Sequence, residues 1–177
     1  MTGGSLTDAL LGVHDVLAAA EISHALCGGL AANLYRDEVR ATVDVDIAVA
    51  VAPARVVDLV NRFEAEGWKV EPYWRQGEQL RLTRSDLPRI DCILATTDYE
   101  RKAIDQAVPA RIEGHELSVL TPEDLIVFKL ITWRARDYEA LAAIINSRVE
   151  RLDVDYIMGW LEQFSVSERW DRARGSS

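Results

Sequence analysis

Between residues 42 and 51 the chain alternates: Val43, Val45, Ile47 and Val49 share one parity, and Asp44, Asp46, Ala48 and Ala50 share the other. A period of two marks a β-strand whose two faces meet different surroundings. The β-branched row belongs in a core. The other row sets two carboxylates, two residues apart, on the same side of a rigid element. Such a pair can simply be a solvated strand face. It is also the arrangement that divalent-metal chemistry needs, with hard oxygen ligands on a stiff support and positions left open for substrate phosphates.

Two further segments bear on that choice. Residues 23–27 read as a short strand running into Gly28–Gly29, and a helix is expected from there over residues 30–36. Glycines in this position serve an ordinary turn, or let a backbone approach a phosphate beside the N–H groups of a helix start. Downstream, residues 89–95 read as an apolar strand interrupted by Asp91. A buried carboxylate is costly without a partner, so Asp91 asks for one. As a third acid on a neighbouring strand it would complete a site for two metal ions about 3.5–4 Å apart.

The remaining pattern predicts a helix over 6–20 with Thr7 as its cap, and a helix over 53–66 opened by Pro53 and closed by Gly67. A hairpin of strands 68–74 and 79–84 turns at Gln76–Gly77, a short helix covers 99–107, and a second hairpin over 110–120 turns at Glu113–Gly114. From Thr121 the character changes. Thr-Pro-Glu-Asp is a helix start, and three helices follow over 122–132, 138–148 and 154–164, with a frayed end after 172. The fold class expected is α/β (α+β): a sheet core over residues 1–118, then a helical C-terminal region over 119–177.

Composition narrows the function classes. A formal net charge of -9 argues against broad, non-specific binding to nucleic acid, whose phosphates would be repelled. Four arginines nonetheless gather between residues 75 and 89, namely Arg75, Arg81, Arg84 and Arg89. They fit either a channel for an anionic substrate or alternate exposed positions on a hairpin. No apolar run reaches the roughly 18 residues needed to cross a bilayer, and no secretory leader is evident, so a cytoplasmic location is expected. Cys27 and Cys92 lie in apolar runs without CxxC partners and read as buried thiols. His14, His24 and His115 are isolated and read as structural or surface residues.

Taken together, Leu26-Cys27-Gly28-Gly29, Asp44-Val45-Asp46-Ile47 and Ile90-Asp91-Cys92 resemble the three motifs of the nucleotidyltransferase superfamily, hG[G/S], Dh[D/E]h and h[D/E]h. Within it, Arg40-Ala41-Thr42-Val43-Asp44-Val45-Asp46 and the stretch 120–130, followed by Arg136-Asp137, look most like minimal bacterial members of the abortive-infection (AbiEii-like, type IV toxin) group. The likeness covers roughly residues 24–145.

That resemblance implies a DNA polymerase beta-like fold and the transfer of a nucleoside monophosphate from an NTP to an acceptor hydroxyl, with release of pyrophosphate. It implies Mg²⁺ or Mn²⁺ held by Asp44, Asp46 and Asp91, and phosphates bound by Gly28, Gly29, Arg40 and Lys129. Asp137 would orient or assist the attacking group. Trp133 and Tyr138 could stack on a base or pack in the core. The acceptor is open among RNA ends, proteins and small molecules, and a toxin role would bring an antitoxin partner. The alternative from another class is a non-catalytic nucleotide-sensing or protein-interaction module on the same fold.

Overall fold

The computed structural model describes residues 4–42, 44–73, 78–133, 138–148 and 150–175. Val43, Arg75, Asp137 and the expected turn at Gln76–Gly77 lie outside the described residues.

The chain opens with helix α1 (Leu6–Ala19). Its cap is Ser5 rather than Thr7: the Ser5 hydroxyl accepts from the Asp8 amide, and the Asp8 carboxylate accepts from the Ser5 amide. This reciprocal pairing satisfies two donors that a helix start otherwise leaves open, which a threonine one turn in cannot do. Strand β1 (Ser23–Cys27) leads directly into helix α2 (Gly28–Ala32), which starts and stops earlier than expected because residues 33–38 leave the helix in a series of turns. Strand β2 (Val45–Ala50) follows; then one 3-10 turn at Pro53–Arg55 precedes helix α3 (Val56–Ala65). Strands β3 (Lys69–Tyr73), β4 (Gln79–Arg84) and β5 (Leu87–Leu94) form a meander, with β5 beginning two residues before the expected start.

Helix α4 (Asp98–Asp105) and the hairpin β6 (Val108–Ile112) and β7 (His115–Val119) complete the sheet region. The C-terminal helices are α5 (Pro122–Thr132), α6 (Tyr138–Arg148), α7 (Val154–Gln163) and α8 (Glu168–Ala173). Helix α8 was not expected; it buries Trp170 and Ala173, and the Arg169 guanidinium donates to the carbonyls of Leu130 and Ile131 at the end of α5.

Among the described residues the sheet has seven strands in the order β3-β4-β5-β2-β1-β7-β6. Strand β2 lies at its middle, antiparallel to β1 and parallel to β5. Its β-branched row is fully inside: Val45, Ile47 and Val49 are each 1% exposed or less. Burying each such side chain contributes about 1.5–3 kcal/mol. On the other parity Ala48 is buried, and Asp46 is only partly covered. Helix α1 packs on β5 and against α3, and α2 and α4 lie on β1 and β2. One buried apolar cluster runs from Ala9 to Ala173, so the C-terminal helices share the core of the sheet. Among the described residues no helix is long and apolar enough to cross a membrane.

Candidate functional site

Strand register builds the site. Cys27 of β1 pairs with Asp46 of β2, Asp46 with Asp91 of β5, and Asp91 with Arg81 of β4. Four neighbouring strands thus contribute one lateral row, Cys27–Asp46–Asp91–Arg81, with strands about 4.8 Å apart. The two acids that sequence places 45 residues apart are next-strand neighbours.

Above the row sits the start of α2. Gly28 has φ +65, and a Cβ there would fall 2.0 Å from Asp46 Oδ2. Only a residue without a side chain lets the backbone turn this tightly over a carboxylate. Gly29 is less constrained; its Cβ would meet Thr42 Oγ1 at 3.2 Å. Thr42 in turn donates to the Asp44 carbonyl at 3.1 Å, fixing the entry to β2.

Asp44 stands just before β2 and faces Arg89, whose Nη2 donates to Asp44 Oδ2 at 2.6 Å. Asp91 is held from the other side by Arg81, with Nε to Oδ1 at 2.9 Å and Nη2 to Oδ2 at 3.4 Å. Arg89 Nε lies 3.5 Å from Asp91 Oδ2, misaligned for a hydrogen bond, and is buried without an acceptor. Leaving a buried donor unmatched costs on the order of 1–3 kcal/mol. The arginine cluster is therefore divided: Arg81 and Arg89 turn to the acids, and Arg84 pairs with Asp86 and lies over the Trp68 ring.

The loop between α2 and β2 supplies more positive charge. Asn33 holds its two ends together, accepting from the Arg40 amide at 3.1 Å and donating to the Arg40 carbonyl at 2.9 Å. The same Asn33 Oδ1 accepts from Arg36 Nε at 2.7 Å, and Arg36 Nη2 reaches the Gly29 carbonyl at 3.4 Å. Burial, and then the charge of nearby Arg40, pull the Arg36 pKa below its ordinary value. The two guanidiniums thus lie near enough to feel each other's positive charge. Helix α6 braces this loop: Arg148 donates to the carbonyls of Leu34 and Tyr35, and Ser147 bonds the Asp37 amide and carboxylate.

Lys129 belongs to α5, which packs against α2. The Cys27 thiol feels it directly: burial and then Asp46 raise that pKa well above normal, and Lys129 counteracts them. Cys27 and Cys92 are both free and buried, with ionisation suppressed chiefly by burial. Trp133 caps α5 in a left-handed conformation under the Arg169 guanidinium, a packing position. His14 and His24 hydrogen-bond each other at 2.8 Å, with His24 anchored to the Ile22 carbonyl.

Of the expected site residues, register and contacts bring Gly28, Asp46 and Asp91 together, with Gly29 next to Thr42 and Asp44 linked through Arg89. Arg40 adjoins through its backbone bonds to Asn33, and Lys129 acts electrostatically on Cys27. Sequence reasoning missed Asn33 and Arg36, although an Asn and two Arg soon after a glycine pair in an acidic chain are a readable signal. It did not foresee that Arg81 and Arg89 turn to Asp91 and Asp44, because those pairings depend on strand register. Among the described residues no three His, Cys, Asp or Glu side chains converge to chelate an ion as they stand. The donor chemistry nevertheless fits a hard divalent cation. Asp46 and Asp91 are paired across neighbouring strands, Asp44 precedes Asp46 by two residues, and Arg89 and Arg81 supply positive charge to Asp44 and Asp91.

A family model described as "Nucleotidyltransferase of unknown function (DUF6036)" matches residues 11–169. Comparison with curated protein sequences finds no match. Among solved structures, the chain is similar to ANT(2")-Ia in complex with adenylyl-2"-tobramycin, with a TM-score of 0.59 and 17% identity over 92% of this chain and 97% of that one. It is similar to an antigenic nucleotidyltransferase-like protein from Paracoccidioides brasiliensis, with a TM-score of 0.58 and 16% identity over 98% of this chain and 90% of that one. It is also similar to the lincosamide antibiotic adenylyltransferase LnuA with lincomycin bound, with a TM-score of 0.56 and 14% identity over 77% of this chain and 94% of that one. At these identities the likeness is one of fold.

Proposed function

The chain belongs to this nucleotidyltransferase family, and from that premise we propose that it transfers a nucleoside monophosphate from an NTP to an acceptor hydroxyl in a metal-dependent reaction. The observation that carries the reading is the Asp46–Asp91 pairing beneath Gly28, with Asp44 at the mouth of the same strand. Asp44 and Asp46, joined by Asp91, would hold Mg²⁺ or Mn²⁺, which when bound supplies charge neutralisation to the triphosphate. The glycine turn lets the β- and γ-phosphates approach the backbone. Arg36, Arg40 and Lys129 would neutralise their charge.

The acceptor oxygen forms a bond to the α-phosphorus as the bond to the pyrophosphate oxygen breaks. Its proton passes to a carboxylate of the row, a role we assign to Asp91, whose side chain is 13% exposed. Positioning and electrostatics dominate such chemistry, and the rigid sheet provides both. Asp137 would orient the attacking group, an assignment resting on the family resemblance. A small-molecule acceptor is favoured by the neighbours in which tobramycin and lincomycin are named. A toxin role with an antitoxin partner rests on the AbiEii-like motifs alone.

A second reading, a nucleotide sensor without turnover, draws support from the arginines on Asp44 and Asp91. One experiment separates the two. The protein is incubated with Mn²⁺ or Mg²⁺, each labelled NTP, and a panel of tobramycin, lincomycin, tRNA and protein acceptors, with Asp44→Ala and Asp46→Ala variants alongside. Label transfer and pyrophosphate release confined to the wild type establish the transferase. Metal-dependent NTP binding with no release on any acceptor favours the sensor, and failure to bind any NTP rejects both.

A further inference from the structure

Asp44 and Asp91 are the two outer acids of the cluster, and Arg89 stands between them. Its Nη2 is 2.6 Å from Asp44 Oδ2, and its Nε is 3.5 Å from Asp91 Oδ2. Arg81 holds the far side of Asp91 at 2.9 Å. Each of the two guanidiniums offsets one unit of the negative charge of the carboxylate it faces. A divalent cation is drawn in proportion to that charge, so this cluster attracts one only weakly while the arginines stay in place.

The two arginines are not equivalent. Arg81 meets Asp91 through two nitrogens and belongs to the pleat of β4, cross-strand from its partner. Arg89 makes one aligned hydrogen bond to a carboxylate, and its Nε is buried with no acceptor. Its side chain is 38% exposed, with room to move outward. A guanidinium with one donor satisfied and another orphaned is held loosely, and a phosphate oxygen can offer it the paired geometry a single carboxylate oxygen does not.

We propose that Arg89 is a resident counter-cation that latches Asp44 in the nucleotide-free protein, so that the divalent cation enters with the triphosphate rather than ahead of it. This deepens the transferase reading and rests on it. As the nucleotide arrives, Arg89 leaves Asp44 for phosphate, and the freed carboxylate turns to the incoming cation. Arg89 thereby regulates the order of loading, and Arg81 keeps Asp91 in place throughout.

The test is Mn²⁺ binding, read as loss of the free-ion electron paramagnetic resonance signal, without and with a non-hydrolysable NTP analogue. Wild type is expected to bind Mn²⁺ weakly alone and far more tightly with the analogue. Arg89→Gln is expected to bind Mn²⁺ alone roughly tenfold more tightly than wild type, and to lose most of the gain the analogue gives. Arg89→Lys keeps the charge and is expected to fall between the two, so it carries the comparison should Arg89→Gln fail to fold by circular dichroism. Equal Mn²⁺ affinity in wild type and in the folded variants, with the analogue still promoting binding, would overturn the latch and leave the transferase reading standing. Wild type that takes up no Mn²⁺ even with each analogue would overturn both.

Discussion

Asp46 and Asp91 occupy paired positions on adjacent parallel strands, beneath a glycine whose missing Cβ makes room for the Asp46 carboxylate. Removing charge at this pair tests its role most directly. Asp46→Asn is expected to lower turnover by about 10²- to 10³-fold while shifting thermal unfolding little, because Asn is nearly isosteric and Asp46 is only partly buried. Steady-state label transfer and a melting curve on one preparation check both halves.

The turn above the pair has its own expectation. At Gly28 a methyl group meets Asp46 and the backbone has φ +65, so Gly28→Ala combines a clash with left-handed strain. The strain alone costs about 1–2 kcal/mol. Gly29→Ala, whose Cβ meets only Thr42 Oγ1 at 3.2 Å, should be the milder change. Urea denaturation of the two variants should rank them in that order, and the reverse order would contradict the geometry.

Arg36 has Asn33 Oδ1 and the Gly29 carbonyl as its hydrogen-bond acceptors, and it feels the charge of Arg40. Relief of that repulsion by a bound phosphate is the reason to assign it to the nucleotide. Arg36→Ala is expected to raise KM for the NTP by about tenfold, the equivalent of one charge-assisted hydrogen bond, with a smaller effect on kcat. A change confined to stability would remove Arg36 from the site.

Asp124 is fully buried and accepts from Thr121 Oγ1 at 2.7 Å, Gln106 Nε2 at 2.7 Å, Tyr156 Oη at 2.8 Å and Tyr99 Oη at 3.3 Å. The carboxylate joins α4, α5 and α7, and burial followed by its charge raises the pKa of both tyrosines. Asp124→Asn turns an amide against donors and is expected to destabilise by about 2–4 kcal/mol. Tyr156→Phe leaves the other donors in place and should cost about 1 kcal/mol. Chemical denaturation distinguishes the two.

The His24 pKa lies below its ordinary 6.5, chiefly because the ring is buried and secondarily through its neighbours Ile22, which opposes the shift, and His14. A depressed folded-state pKa means that the unfolded chain binds the proton first. The stabilisation is complete above pH 6.5 and is lost as pH falls through the folded-state value. The melting temperature of wild type should therefore drop more steeply than that of His24→Gln between pH 7 and 5.5. Parallel profiles would remove His24 as the cause.

Periodicity and turn chemistry determined most of the elements. The alternation of Val45, Ile47 and Val49 dictates β2 because only an extended strand sends that row to one side, and Thr121-Pro122 dictates the start of α5 because each satisfies a helix end locally. These are short-range causes, and a sequence displays them. Local reasoning also placed Asp46 and Asp91 on the right strands, but it put Asp44 inside β2, which begins at Val45, and Gly28–Gly29 in a turn ahead of α2, which they open. It misassigned the α1 cap because Ser5 and Thr7 both offer a hydroxyl near the helix start, and the reciprocal bond with Asp8 decides between them. What only the tertiary structure decided was register: that Asp91 pairs with Asp46 and Arg81, that Arg89 reaches Asp44, and that α6 braces the Arg36 loop from over 100 residues away. A strand's own residues fix which face each side chain takes, but not which strand lies beside it. That choice is made by the whole core at once, and the charge pattern of the site follows from it.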